Sequence, residues 1–192
     1  MSILNAITAG AGGVALTGDT SGNLTIQSAG TNVVTFTSTG MITNTGAPAF
    51  SAYANANQNL TSNSWTKVQI NTKQFDTNSN FDATTNYRFT PTVAGYYQIN
   101  GSIEYNSSGN NPTVVGIRIY KNGNPFFGDF ITGSVNSGQT TSISCLISFN
   151  GSTDYIELYA FANGGSGTLY VQTSTTGNSI PTYFSGCLVR SA

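Results

Sequence analysis

The chain has 192 residues, only 7% of them charged against roughly a quarter in an average domain, and a formal net charge of −1. A balance this weak gives no electrostatic handle on nucleic acid or an anionic membrane surface. The absence of histidine removes Ser-His-Asp and Cys-His catalysis and most transition-metal sites, and eleven Phe, ten Tyr and one Trp argue against disorder.

Residues 1–46 differ from the rest of the chain, with a single aromatic, Phe36, and a single charge, Asp19. Residues 1–13 form an arm of small side chains with one short apolar patch at Ile3, Leu4 and Ile7. They carry neither the basic start nor the sustained apolar stretch of a secretory leader, so synthesis in the cytoplasm is expected. No stretch reaches the roughly 20 apolar residues of a membrane helix, and no membrane insertion is expected.

From residue 14 to 46 a pattern repeats. Val14-x-Leu16, Leu24-x-Ile26 and Val34-x-Phe36 recur every ten residues, separated by turn-formers such as Gly18-Asp19-Thr20-Ser21-Gly22 and Ala29-Gly30-Thr31-Asn32. Each unit reads as a short strand with two inward apolar positions and a tight turn. Six such side chains cannot offset the entropy of fixing the backbone around them, so the units need neighbours, most simply identical chains around an axis. Residues 14–46 are therefore read as a β-repeat stalk or collar with Val14, Leu16, Leu24, Ile26, Val34 and Phe36 as its core. A flexible Gly/Ser/Thr linker is the alternative.

Residues 47–192 read as many short strands with polar turns, and no segment has helical periodicity. Strands are expected at Ala49–Ala54, Trp65–Ile70, Asn86–Thr90, Gly95–Tyr105, Val114–Lys121, Phe126–Ile131, Thr140–Phe149, Tyr155–Ala162, Thr168–Val171 and Tyr183–Arg190. Asn122-Gly123 and Asn150-Gly151 supply hairpin turns, and the pattern predicts an all-β sandwich or jelly roll. In Tyr155–Ala162 one face carries Ile156, Leu158 and Ala160, the other Tyr155, Tyr159 and Phe161. So much aromatic area on a second face predicts a subunit interface, with an intramolecular loop over it as the alternative. Cys145 and Cys187 fall within strands and read as small buried hydrophobes rather than a bridge.

Six motifs in order carry a resemblance. They are Ala49-Phe50-Ser51-Ala52-Tyr53, Asn80-Phe81-Asp82 with Tyr87-Arg88-Phe89-Thr90-Pro91, Ala94-Gly95-Tyr96-Tyr97, Arg118-Ile119-Tyr120-Lys121-Asn122-Gly123, Asp154-Tyr155-Ile156-Glu157-Leu158, and Tyr183-Phe184-Ser185-Gly186-Cys187-Leu188-Val189. Over this span the chain resembles the C1q/tumour necrosis factor-like family of trimeric jelly rolls. The resemblance implies a sandwich of about ten strands and a homotrimer with the second-sheet aromatics at its axis. The chain has no collagen-like stalk, and residues 14–46 instead look like the repetitive β segments of bacteriophage fibre and decoration proteins.

Asp76-x-Asn78-x-Asn80-x-Asp82 has the alternate spacing of a calcium loop but lacks its glycine and its closing Glu, so it is read as a turn. The remaining acids are scattered, and no catalytic residue, metal or cofactor is expected. The expected function is that of a non-enzymatic virion protein, a capsid-decorating cement or head spike attached to the major capsid protein, or to another virion protein, through Ile3, Leu4 and Ile7. The alternative is a tail fibre or receptor-binding adhesin whose head binds a host-surface glycan or protein.

Overall fold

A computed structural model describes residues 20–44, 46–133, 138–173 and 179–192. Ile3, Leu4, Ile7, Val14 and Leu16 lie outside the described residues. Contacts divide the chain into two units, Met1–Ala47 and Pro48–Ala192.

In the first unit, β1 (Leu24–Ser28), β2 (Thr31–Phe36) and β3 (Ile42–Asn44) form an antiparallel meander in the order β1-β2-β3. Gly30 and Gly40 occupy the left-handed backbone region that these tight turns require. The Leu24-x-Ile26 and Val34-x-Phe36 units are thus two adjacent legs of an antiparallel meander joined by a tight turn. Register places Leu24, Phe36 and Ile42 in one cross-strand row and Ile26, Val34 and Asn44 in the next. The opposite face is a ladder of Thr25, Thr35 and Thr43.

The second unit is a two-layer β sandwich with no helix among the described residues. Its strands are β4 (Ala49–Tyr53), β5 (Gln58–Asn59), β6 (Thr66–Lys67), β7 (Thr72–Asp76), β8 (Phe81–Asp82), β9 (Arg88–Phe89), β10 (Gly95–Ser107), β11 (Val114–Lys121), β12 (Asn124–Thr132), β13 (Gln139–Phe149), β14 (Ile156–Asn163), β15 (Leu169–Gln172) and β16 (Tyr183–Ser191). One sheet runs β5-β15-β10-β16-β4-β7 with β13 on β10; the other runs β12-β11-β14-β9-β8 with β6 on β14.

The core lies between the sheets. Tyr97, Ile99, Ile103 and Tyr105 of β10 face Ile117 and Ile119 of β11 and Ile156, Leu158 and Ala160 of β14, all buried. At Gly101 a Cβ would come within 2.9 Å of Leu158 Cδ1, so that position is small because the opposing sheet fills it. Phe50 anchors one end, stacked on Phe89 (4.2 Å) and Phe81 (5.0 Å) and edge-on to Phe184. Tyr105 spans the sandwich, its hydroxyl donating to the Gly116 carbonyl at 2.5 Å.

Three expectations change. Trp65–Ile70 shortens to Thr66–Lys67, because the Ile70 amide bonds the Val68 carbonyl in a tight turn that drives both side chains into the core. Asn86–Thr90 shortens to Arg88–Phe89, because Tyr87 sits at a φ of 51° and breaks the extended run. Cys187 is exposed rather than buried: register puts Cys145 on the Ile99 side of the sheet and Cys187 on the Gln98 side, so the two thiols point apart and stay free.

Phe50→Ala removes a ring with three aromatic partners, and the expected loss is about 3–5 kcal/mol. Urea unfolding followed by the fluorescence of Trp65 measures it.

Candidate functional site

The six-stranded sheet turns its outer face towards solvent in three cross-strand rows. The first holds Phe130, Gly116 and Phe161; the second Gly128, Arg118, Tyr159 and Lys67; the third Pro125, Tyr120, Glu157, Arg88 and Asp82. Trp65 closes the first row, 5.3 Å from both Phe130 and Phe161. The glycines are structural. A Cβ on Gly116 would strike the Phe130 ring, and one on Gly128 would meet Arg118 Nε at 2.9 Å, so both side chains lie flat on bare backbone.

The expected interface residues Tyr155, Tyr159 and Phe161 are all half-buried here by their own chain. Phe161 packs on Trp65 and Phe130, Tyr159 stacks on Tyr120 at 3.9 Å, and the Arg88 guanidinium sits 4.3 Å over the Tyr155 ring. Sequence reading missed Trp65, Tyr120 and Phe130 as members of this face. The only available signal was that Arg118 and Tyr120 alternate with inward Ile117 and Ile119.

The other sheet presents a different outer face. Leu146 is 54% exposed and Tyr96 45%, and Phe75 lies on the same face three strands across from β10. Between them Gln98, Asn100 and Ser144 share side-chain hydrogen bonds of 2.9–3.3 Å. At the sandwich edge, β12 exposes Phe126 and Phe127. In the first unit, Ile26 is 49% exposed and Ile42 66%, on a face whose rows contain no charge.

Four carboxylates are committed to structure. Asp82 accepts the backbone N–H groups of Thr84, Thr85 and Asn86 at 2.9–3.0 Å, and Asp76 those of Asn80 and Phe81. The oxygen-rich Asp76–Asp82 stretch is thus a pair of self-satisfied turns. Glu157, buried, pairs with Lys67 at 2.8 Å, and Asp154 with Lys121 at 3.1 Å. Two open clefts of about 160 and 190 Å³ are smaller than the usual small-molecule pocket. No group of three metal-ligating side chains occurs among the described residues.

No family model and no curated protein matches the sequence. Solved structures do match. The globular domain of zebrafish complement 1qA protein aligns at 22% identity and a TM-score of 0.51, covering 76% of this chain and 99% of that one. Murine APRIL aligns at 8% identity and 0.53, covering 74% and 99%. Eiger TNF from S. frugiperda aligns at 8% and 0.50, covering 76% and 93%. The chain has a C1q/TNF-like jelly-roll fold.

Backbone donors from Thr85 and Thr84 hold the Asp82 carboxyl well below its ordinary value of 3.8, against a smaller opposing effect of burial. A depressed folded-state pKa contributes stability above the unfolded value that is lost as pH falls. Stability is therefore expected to decline below about pH 4, and Asp82→Asn should flatten that acid limb while lowering stability at neutral pH. Urea midpoints measured from pH 7 to pH 2 check both effects.

Proposed function

We propose that this is a non-enzymatic structural protein of a virus particle, a homotrimer that decorates the capsid and is held there by its N-terminal arm. The observation that carries the reading is the bare apolar face of Leu24, Ile26, Val34, Phe36 and Ile42. A three-stranded sheet with one face this apolar and unpaired needs a cover, and a face without charges offers nothing to steer a foreign partner. Further copies of the same sheet supply that cover.

Three copies is the number that the jelly-roll resemblance implies, and the head has the surfaces a ring requires. A threefold ring is built from heterologous contacts, so each copy needs two different patches. The Leu146–Tyr96–Phe75 face and the Phe126–Phe127 edge are two such patches. We place assembly there rather than at Tyr155, Tyr159 and Phe161, whose rings already have partners within the chain. With four of its six acidic side chains bound into turns and ion pairs and no histidine, the head offers burial and multivalent contact rather than catalysis. Ile3, Leu4 and Ile7 are the anchoring residues of the arm, and the major capsid protein is its partner.

Light scattering should give a mass of three chains, and Leu146→Asp should shift it towards one. Deleting residues 1–13 should cut incorporation into particles at least tenfold while leaving the trimer mass unchanged. Unchanged incorporation, or a count of a few trimers per particle instead of hundreds, overturns the capsid assignment in favour of a tail fibre.

A further inference from the structure

The chain has six cationic side chains, and three of them are in ion pairs: Lys67 with Glu157, Lys73 with Asp76 and Lys121 with Asp154. Of the other three, Arg190 lies on the seven-stranded sheet, while Arg88 and Arg118 share the outer face of the six-stranded sheet. Among the described residues, neither of these two guanidinium groups meets a carboxylate or donates a hydrogen bond. Each is held instead by an aromatic ring, Arg118 at 4.1 Å over Trp65 and Arg88 at 4.3 Å over Tyr155.

The acids of this face do not answer them. Glu157 is the register partner of Arg88, yet its Oε1 is taken by Lys67 at 2.8 Å and its Oε2 accepts from the Tyr159 hydroxyl. Asp82, the other register partner of Arg88, is saturated by backbone donors and the Asn86 side chain. Two guanidinium groups are thus oriented by stacking and left with their planar donor edges unused. A guanidinium fixed in this way is preorganised for bidentate binding of a carboxylate. Between the two lie the stacked Tyr120 and Tyr159, amphipathic rings with phenol groups at their tips.

We propose that this face is a binding site for an acidic saccharide, with Arg118 and Arg88 each taking a sugar carboxylate and Tyr120 and Tyr159 contacting the ring between them. Strand spacing puts the backbone positions of Arg118 and Arg88 two strands and one row apart, about 12 Å. Two guanidinium groups rooted that far apart suit carboxylates on separate units of a uronic acid chain rather than two oxygens on one group. Two free cations on a chain of net charge −1 are too few for a nucleic acid backbone, whose binding is built on many phosphate contacts. A neutral glycan leaves both guanidinium groups unanswered. The site does not depend on where on a particle the protein sits, nor on the surfaces assigned above to assembly.

Trp65 is the only tryptophan and touches Arg118, so its fluorescence reports the site directly. The full-length protein is titrated with oligouronates and sialylated oligosaccharides, with the same oligouronates after carboxyl reduction, and with poly-glutamate. The expected result is a saturable change with the carboxylated sugars that weakens with added salt and is lost on carboxyl reduction. Arg118→Gln and Arg88→Gln should each weaken it tenfold or more, and Arg190→Gln, on the other sheet, should not. Light scattering of each variant separates loss of this site from loss of assembly; if Arg118→Gln fails to fold, Arg88→Gln and the carboxyl-reduced sugar still decide. No saturable binding by any acidic sugar, equal binding of the reduced sugar, or Arg-dependent binding of poly-glutamate alone overturns the proposal.

Discussion

The register of β10 is the constraint on which the head depends. This strand is hydrogen-bonded to β13 along one edge and to β16 and then β15 along the other. Because side chains alternate, a slip of one residue would move Tyr97, Ile99, Ile103 and Tyr105 out of the core and bring Gln98, Asn100 and Glu104 in. Two bonds beyond the ladder pin it. The Tyr97 hydroxyl donates to the Val93 carbonyl just before the strand, and that of Tyr105 reaches Gly116 across the sandwich. Neighbouring strands inherit the alternation, which is how Leu146 and Tyr96 come to share a solvent face with no core role of their own.

Charge is sparse in this molecule, and most of it has a traceable use. Asp76 and Asp82 close turns, Glu157 and Asp154 meet lysines, and every lysine has a carboxylate. The arginines follow another rule, two of them resting on aromatic rings with their donor edges free. Lysine is a compact, strongly hydrated charge that does its structural work through an ion pair. Arginine can be held by stacking while its hydrogen-bonding edge remains open. The six-stranded sheet uses both, with Lys67 sealing Glu157 beneath a surface that the arginines complete.

Much of the fold was legible because its longest strands bury one face only. Tyr96 to Tyr105 alternates without a break, and Val114–Lys121 has the bounds read from the sequence. Elements without that signature were lost. Thr72–Asp76 is a strand at the end of its sheet, its one large apolar residue, Phe75, facing solvent, so nothing marked it. Within residues 20–44 the ten-residue repeat marked two short strands and the turn between them, but periodicity fixes spacing and not pairing; Leu24 opposite Phe36 is a hairpin pairing. The aromatic face of β14 was visible, but its cover was not. Trp65 precedes Phe161 by nearly a hundred residues and packs on it only because β6 pairs with β14.

The open side of β12 has a consequence for how the molecule must be made. A strand at the end of a sheet with phenylalanines beside its unpaired amides is a template for any extended chain that meets it. In the ring proposed above that template would be hidden, whereas in a newly folded single chain it is not. Subunit concentration would then set a race between closing the ring and indiscriminate strand addition. The prolines that bracket the hazard are few, Pro125 alone standing in β12 itself. Pro125 and the exposed Asp129 blunt part of that edge, and fast assembly would cover the rest, which would tie the yield of usable protein to the rate at which copies find one another.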